Sequence, residues 1–200
     1  LLFPALFISL FLTQITFLPA QVVINEFSAA NYDGIQAASG GYEDWVELYN
    51  AGSTPFDLSG HYLSDRMTNP TKWEFPAGTT IAPGEHLLIW CSKLDGNISG
   101  QLHTSFKLTQ TKATEAIVFA DPGGVILDSH DIDIPNQMED SRGRTTDGAA
   151  TWSVFTDWTP GYANNSPKNE YATKPTASPS AGFFSGSATV TVTTPDANVN

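Results

Sequence analysis

The sequence predicts an all-β fold, a sandwich of antiparallel sheets, and three observations carry that expectation. Short runs rich in Val, Ile, Phe, Tyr and Trp recur between Gly, Pro, Asn and Asp turn residues. No window sustains the apolar spacing of an amphipathic helix for three turns. Five tryptophans accompany a single cysteine, so a core must be assembled from large rings and aliphatic side chains without an intrachain disulfide.

The first run, "QVVINEF", is β-branched. In "DWVELYN", strand alternation places Trp45, Glu47 and Tyr49 on one face and Val46 and Leu48 on the other, and a buried sheet face would take one of those sets. The stretch "NAGSTP" reads as a loop before "FDLSGHYLSD". A short strand, a turn at Pro83-Gly84 and a continuous apolar strand make up "KWEFPAGTTIAPGEHLLIW". In "EAIVFADPGGVILDS", two β-rich runs flank Asp121-Pro122-Gly123-Gly124, the chemistry of a tight hairpin. Trp45, Trp73, Trp90, Trp152 and Phe119 are the expected core rings. Cys91, next to "HLLIW", reads as a small buried thiol with no organised His and Asn partners.

The ends differ in character. Residues 1–20 carry no charged side chain and finish in Ala20, as a secretory signal peptide does, although the basic n-region is missing; cleavage is expected before Gln21. No basic stop-transfer cluster follows, so no span beyond that segment is expected. Residues 166–180 are rich in Pro, Ser, Thr and Ala and read as an extended linker. Within 181–200, "SGSATVTVTT" reads as the first strand of a second, truncated β domain.

Composition restricts function. With 9 basic and 21 acidic side chains the formal net charge is -12, a surface that repels phosphate backbones, so no nucleic-acid partner is expected. Residues 43–65 carry Glu43, Asp44, Glu47, Asp57 and Asp65 without one Lys or Arg. Asp44 and Glu47 point to opposite faces of a strand, and all five read as strand-edge and turn groups that favour solubility and discourage edge pairing. A two-carboxylate glycosidase site would need both acids facing one cleft. Asp128, Asp131, Asp133, Glu139 and Asp140 offer oxygen ligands for calcium without the spacing of an EF-hand, and a solvated acidic loop is the plainer expectation. His61, His86, His103 and His130 are too scattered for a zinc site. Arg142 and Arg144 flank Gly143 and could form a phosphate nest, but pairing with Asp140 or Asp147 is the expected role. Asn97-Ile98-Ser99 and Asn164-Asn165-Ser166 match the glycosylation acceptor. No catalytic, cofactor-binding or metal-ligating residue is therefore assigned.

In order along the chain, "VINEFSAANYDG", "DWVELYNAG", "DLSGHYLSD", "KWEFPAGTTIAPGEHLLIWCS", "LHTSFKL", "EAIVFADPGGVILDS" and "DSRGRTTDGAATWSVFTDWTPGYAN" resemble the lamin-tail domain over residues 21–165. "KPTASPSAGFFSGSATVTVTTPDA" resembles the opening of the chitobiase/β-hexosaminidase C-terminal-type repeat. The resemblance implies an immunoglobulin-like sandwich of the kind found in secreted bacterial proteins, with no catalytic residues to carry over. The implied role is a non-catalytic binding, adhesion or spacer module, secreted or at the cell surface, with protein or carbohydrate partners. The alternative is an accessory domain of a secreted enzyme, a spore-coat-protein-H-like kinase or a hydrolase, whose catalytic domain lies beyond residue 200.

Overall fold

The computed structural model describes residues 21–112, 114–180 and 182–194; the expected signal peptide, residues 1–20, lies outside them. The strands are, in chain order, β1 (Val22–Ser28), β2 (Asp44–Asn50), β3 (Phe56–Asp57), β4 (Tyr62–Ser64), β5 (Trp73–Glu74), β6 (Thr80–Ile81), β7 (His86–Cys91), β8 (Gly96–Ile98), β9 (Gln101–His103), β10 (Ala116–Ala120), β11 (Ile126–Asp131), β12 (Ser141–Arg144), β13 (Trp152–Phe155), β14 (Thr176–Ser178) and β15 (Thr191–Thr193). Among the described residues no helix is long and apolar enough to cross a membrane. A seven-stranded sheet in the order β13-β12-β1-β2-β7-β9-β8 packs on a four-stranded sheet in the order β11-β10-β4-β5, and β3-β6 and β14-β15 form separate pairs. Pairing is antiparallel except between β7 and β9. The fold is the all-β, immunoglobulin-like sandwich that the alternating runs predict.

The main core lies between the two sheets. Ile24, Phe27, Val46, Leu48 and Ile89 of the larger sheet meet Leu63, Trp73, Ile117 and Phe119 of the smaller one. Removal of each such side chain from water contributes about 1.5–3 kcal/mol. The turn Asp121–Val125 closes the β10–β11 hairpin: Asp121 Oδ1 accepts from the Gly123 and Val125 amides, both at 2.8 Å, and Gly124 supplies a φ of 81°. Gly84, at φ 72°, does the same in the turn where the Glu85 amide donates to the Ala82 carbonyl.

The register of β1 decides what happens on the far face of the larger sheet. Ile24 opposes Leu48 but Glu26 opposes Glu47, so Asn25 is the extra residue of a bulge. The bulge lets Ile24 and Phe27 both enter the core, while Asn25 and Glu26 are turned together to the opposite face.

Both faces of β2 are buried, which corrects the expectation that only one set would be. Val46 and Leu48 enter the main core, while Trp45 and Trp90, directly opposite each other on β2 and β7, join Ala37 in a second apolar cluster with Ile35, Leu88 and Trp158 against it. Of the expected core rings, Trp45, Trp73, Trp90 and Phe119 are buried; Trp152 is only half-buried, stacked on His130 at 3.8 Å. Beyond β13 the chain does not leave at once: the Lys168 amide donates to the Val154 carbonyl, and Glu170 and Tyr171 dock on the sheet. The strand expected near the C-terminus, β15, finds its partner in β14, inside the stretch read as linker, and both are exposed.

Candidate functional site

The acids that meet in space are Glu26 and Glu47, one from each side of the β1–β2 pairing. In sequence Glu47 looks like a strand-edge group and Glu26 has no marked role, yet both are 0 % exposed. What buries them is a strap, residues 157–164, laid across the sheet more than a hundred positions away in sequence. The Thr159 amide and hydroxyl donate to Glu26, the hydroxyl at 2.8 Å, and Ser141 Oγ donates to the same carboxyl. The Gly161 amide donates to Glu47 Oε2, and Asn25 Nδ2 donates to Glu47 Oε1 at 3.0 Å. Asn164 locks the far end: its Nδ2 donates to the Arg144 and Asn25 carbonyls, and its amide donates to Asp147 Oδ1 at 2.9 Å. Trp158 covers the Trp45–Trp90 cluster beside them.

Glycine at position 143 is what allows this closeness. It opposes Glu26, and a Cβ there would stand 3.0 Å from Asn164 Nδ2, 3.0 Å from Glu26 Cγ and 3.1 Å from the Asn25 carbonyl oxygen. Gly143 therefore faces the strap and does not form an anion nest with its neighbouring arginines.

Burial outweighs these hydrogen bonds. It pushes Glu47 up from 4.5 to about 8, against the Gly161 and Asn25 donors, and the Glu26 charge opposite adds to the rise. Burial likewise raises Glu26, opposed by Ser141 and Thr159. A perturbed acid pair is often a sign of catalysis, but a glycosidase needs its two carboxyls open to one cleft. Here the acids converge under a lid of protein that consumes their oxygens. The pair fastens the strap to the sheet.

The remaining acids of residues 43–65 are individually engaged. Lys107 Nζ lies 2.7 Å from Glu43 Oε2, and Lys72 Nζ lies 2.6 Å from both Asp65 oxygens, with Asp65 buried. Asp57 accepts from the Ser59 amide and hydroxyl, which is the turn role expected. Asp44 is half-buried at the start of β2, and burial drives it up to about 7 against the Asn31 backbone donor. Asp57 has the turn role expected, whereas Glu47 and Asp65 are interior groups, because neighbouring segments fold over both faces of β2 and the end of β4.

The acidic stretch 128–140 is dispersed in the same way. Asp128 Oδ2 accepts from the Ile24 amide at 2.8 Å and pairs with Arg144 Nη2 at 2.8 Å. Glu139 Oε1 accepts from the Tyr32 and Asp33 amides, and Asp140 Oδ2 accepts from Tyr171 Oη. Among the described residues no group of three His, Cys, Asp or Glu side chains is placed to hold a metal ion. Arg142 takes Glu170 in a two-pronged pair and lies over the Tyr171 ring, so the arginines' partners are Glu170 and Asp128 in place of the expected Asp140 and Asp147. Cys91 is buried as expected, and burial holds its thiol well above its ordinary range. Asn164, the second acceptor-pattern asparagine, is buried within the strap network.

A family model described as Lamin Tail Domain matches residues 18–133, which takes in β1 to β11; β12, β13 and the strap follow the matched stretch. No curated protein matches the chain. With more than half of its residues matched and an immunoglobulin-like sandwich formed by them, the chain belongs to the lamin tail domain family.

Proposed function

We propose that the chain is a non-catalytic binding or spacer module of a larger exported protein. The observation that carries this reading is the sealing of Glu26 and Glu47: their carboxyls converge on the larger sheet and hold Thr159 and Gly161. The charge-free opening of residues 1–20 supports export to the cell exterior or surface. The β14–β15 pair and the sequence around it support a second immunoglobulin-like repeat of the chitobiase type that takes in β14. Fold-level kinship by itself assigns no ligand.

The test is turnover. Purified residues 21–200 are screened against chromogenic glycosides, esters, phosphoesters and peptides, and no substrate should be turned over above a heat-denatured control. Hydrolysis that disappears in Glu47→Gln would contradict the reading and convert the acid pair into an active site.

A further inference from the structure

The cations of this acidic chain are concentrated in one place. Of its nine Lys and Arg residues, Arg66, Lys72, Lys93, Lys107 and Lys112 line a single depression of about 230 Å³, with Asp65 on its wall. No short stretch of sequence supplies them. Arg66 follows β4, Lys72 precedes β5, Lys93 sits in the turn after β7, and Lys107 and Lys112 lie between β9 and β10. The fold therefore assembles a cationic bowl from three separate connections, although like charges brought together repel unless something answers them.

The acids within reach answer only part of that charge. Asp65 is taken by Lys72, with Arg66 Nε further off at 3.8 Å, and Glu43 is taken by Lys107. Two more acids nearby are turned to neutral donors: Glu115 Oε1 accepts from the Thr109 amide at 2.8 Å, and Asp95 Oδ1 accepts from Trp73 Nε1 at 3.0 Å. Among the described residues, Lys93 and Lys112 are left without a carboxylate at ion-pair distance, and both are exposed. Lys72, by contrast, is fixed, its Nζ held by Asp65 and set 5.1 Å from the Phe106 ring centre. Lys93 has a φ of 67°, a left-handed conformation that non-glycine residues seldom adopt and that clusters at binding sites.

We infer that this bowl is an oxyanion site, built for a sulfate or phosphate group, with Lys72 as its ordered floor and Lys93 and Lys112 as cations that close on the ligand. The inference deepens the reading of the chain as a binding module and names the chemistry it would recognise. The charge-assisted contacts suit a group presenting several acceptor oxygens. The group can come as the free ion or as an ester on a polymer such as a sulfated polysaccharide.

The experiment is an amide-resolved NMR titration of residues 21–200 with inorganic sulfate and inorganic phosphate, ionic strength held constant with chloride, followed by calorimetry with dextran sulfate. Saturable shifts confined to residues 65–72, 93 and 105–112 are expected. The double variant Lys93→Ala/Lys112→Ala should weaken binding at least about tenfold while keeping the melting temperature, whereas Lys174→Ala, outside the bowl, should bind as the parent does. Saturation by the inorganic ions identifies the free ion as sufficient; tight binding of dextran sulfate that millimolar inorganic sulfate displaces identifies an esterified polymer. Shifts equal to those of added chloride, no saturation in either arm, or an undiminished response in the double variant would overturn the site. None of those failures would produce turnover, so the non-catalytic reading is judged separately.

Discussion

Replacing Glu47 by Gln tests whether the strap is fastened by an acid held in its neutral form. Burial places Glu47 at about 8 in the folded chain against 4.5 for its ordinary value. Between those two pH values the folded state keeps a proton that the unfolded state has released. The associated stability is thus fully present below about pH 4.5 and is lost as pH rises through about 8. Each unit of pH in that window is worth about 1.4 kcal/mol, so Glu47 alone should cost the parent on the order of 2 kcal/mol between about pH 6.5 and pH 8. His130, which burial drives down to about 4, has the opposite sign, but its window closes near 6.5 and does not overlap. Asp44, raised to about 7, acts alike in parent and variant and cancels in the comparison.

For a domain of this size about 2 kcal/mol corresponds to a fall in melting temperature of roughly 4–8 °C. Thermal or urea unfolding followed by tryptophan fluorescence measures it, since Trp45, Trp90 and Trp158 lie beside the strap. The variant should be less stable throughout, because its amide nitrogen would meet Asn25 Nδ2 or the Gly161 amide, donor against donor. The readout is the slope, which should be flatter by about the amount calculated. A parent whose stability does not fall above pH 6.5, or a variant with the same slope, would refute the reasoning.

Three further outcomes follow from the same geometry. Gly143→Ala should destabilise by about 1–3 kcal/mol through overpacking, measured by urea denaturation, because the new methyl stands against Glu26, Asn164 and a backbone carbonyl. Asp128→Ala orphans the Ile24 amide at the bulge and removes the carboxylate paired with Arg144 Nη2; a loss of about 2–4 kcal/mol is expected by the same assay. Excess calcium should leave the melting temperature unchanged in a differential scanning experiment, because Asp128, Glu139 and Asp140 are each committed to a separate donor.

What could be read from the sequence is the part governed by local rules. Alternation and turn chemistry predict the β10–β11 hairpin and the Pro83-Gly84 turn, and ring size predicts the burial of Trp45, Trp73, Trp90 and Phe119. The acid pair was hidden because its burial depends on residues 157–164, which nothing near Glu47 announces. One signal was present: "VVINEF" sets two polar residues side by side in an apolar strand, which breaks period two and indicates a bulge that turns Asn25 and Glu26 to one face. Partner choice for Arg142 and Arg144 was likewise a matter of topology, since Glu170 returns along the sheet edge and Asp128 reaches across from β11. The cationic bowl has no sequence signature, as its members come from three separate connections.

Carbodiimide labelling of accessible carboxyls near pH 6, with glycine ethyl ester as the trapping amine and peptide mass spectrometry as the readout, tests the sealed pair most directly. Glu26 and Glu47 should stay unmodified in the native module while the exposed Glu74 and Asp157 react, and both should become reactive in urea. Modification of Glu26 or Glu47 in the native module, at a rate comparable with Glu74, would show a reachable acid pair and contradict the account.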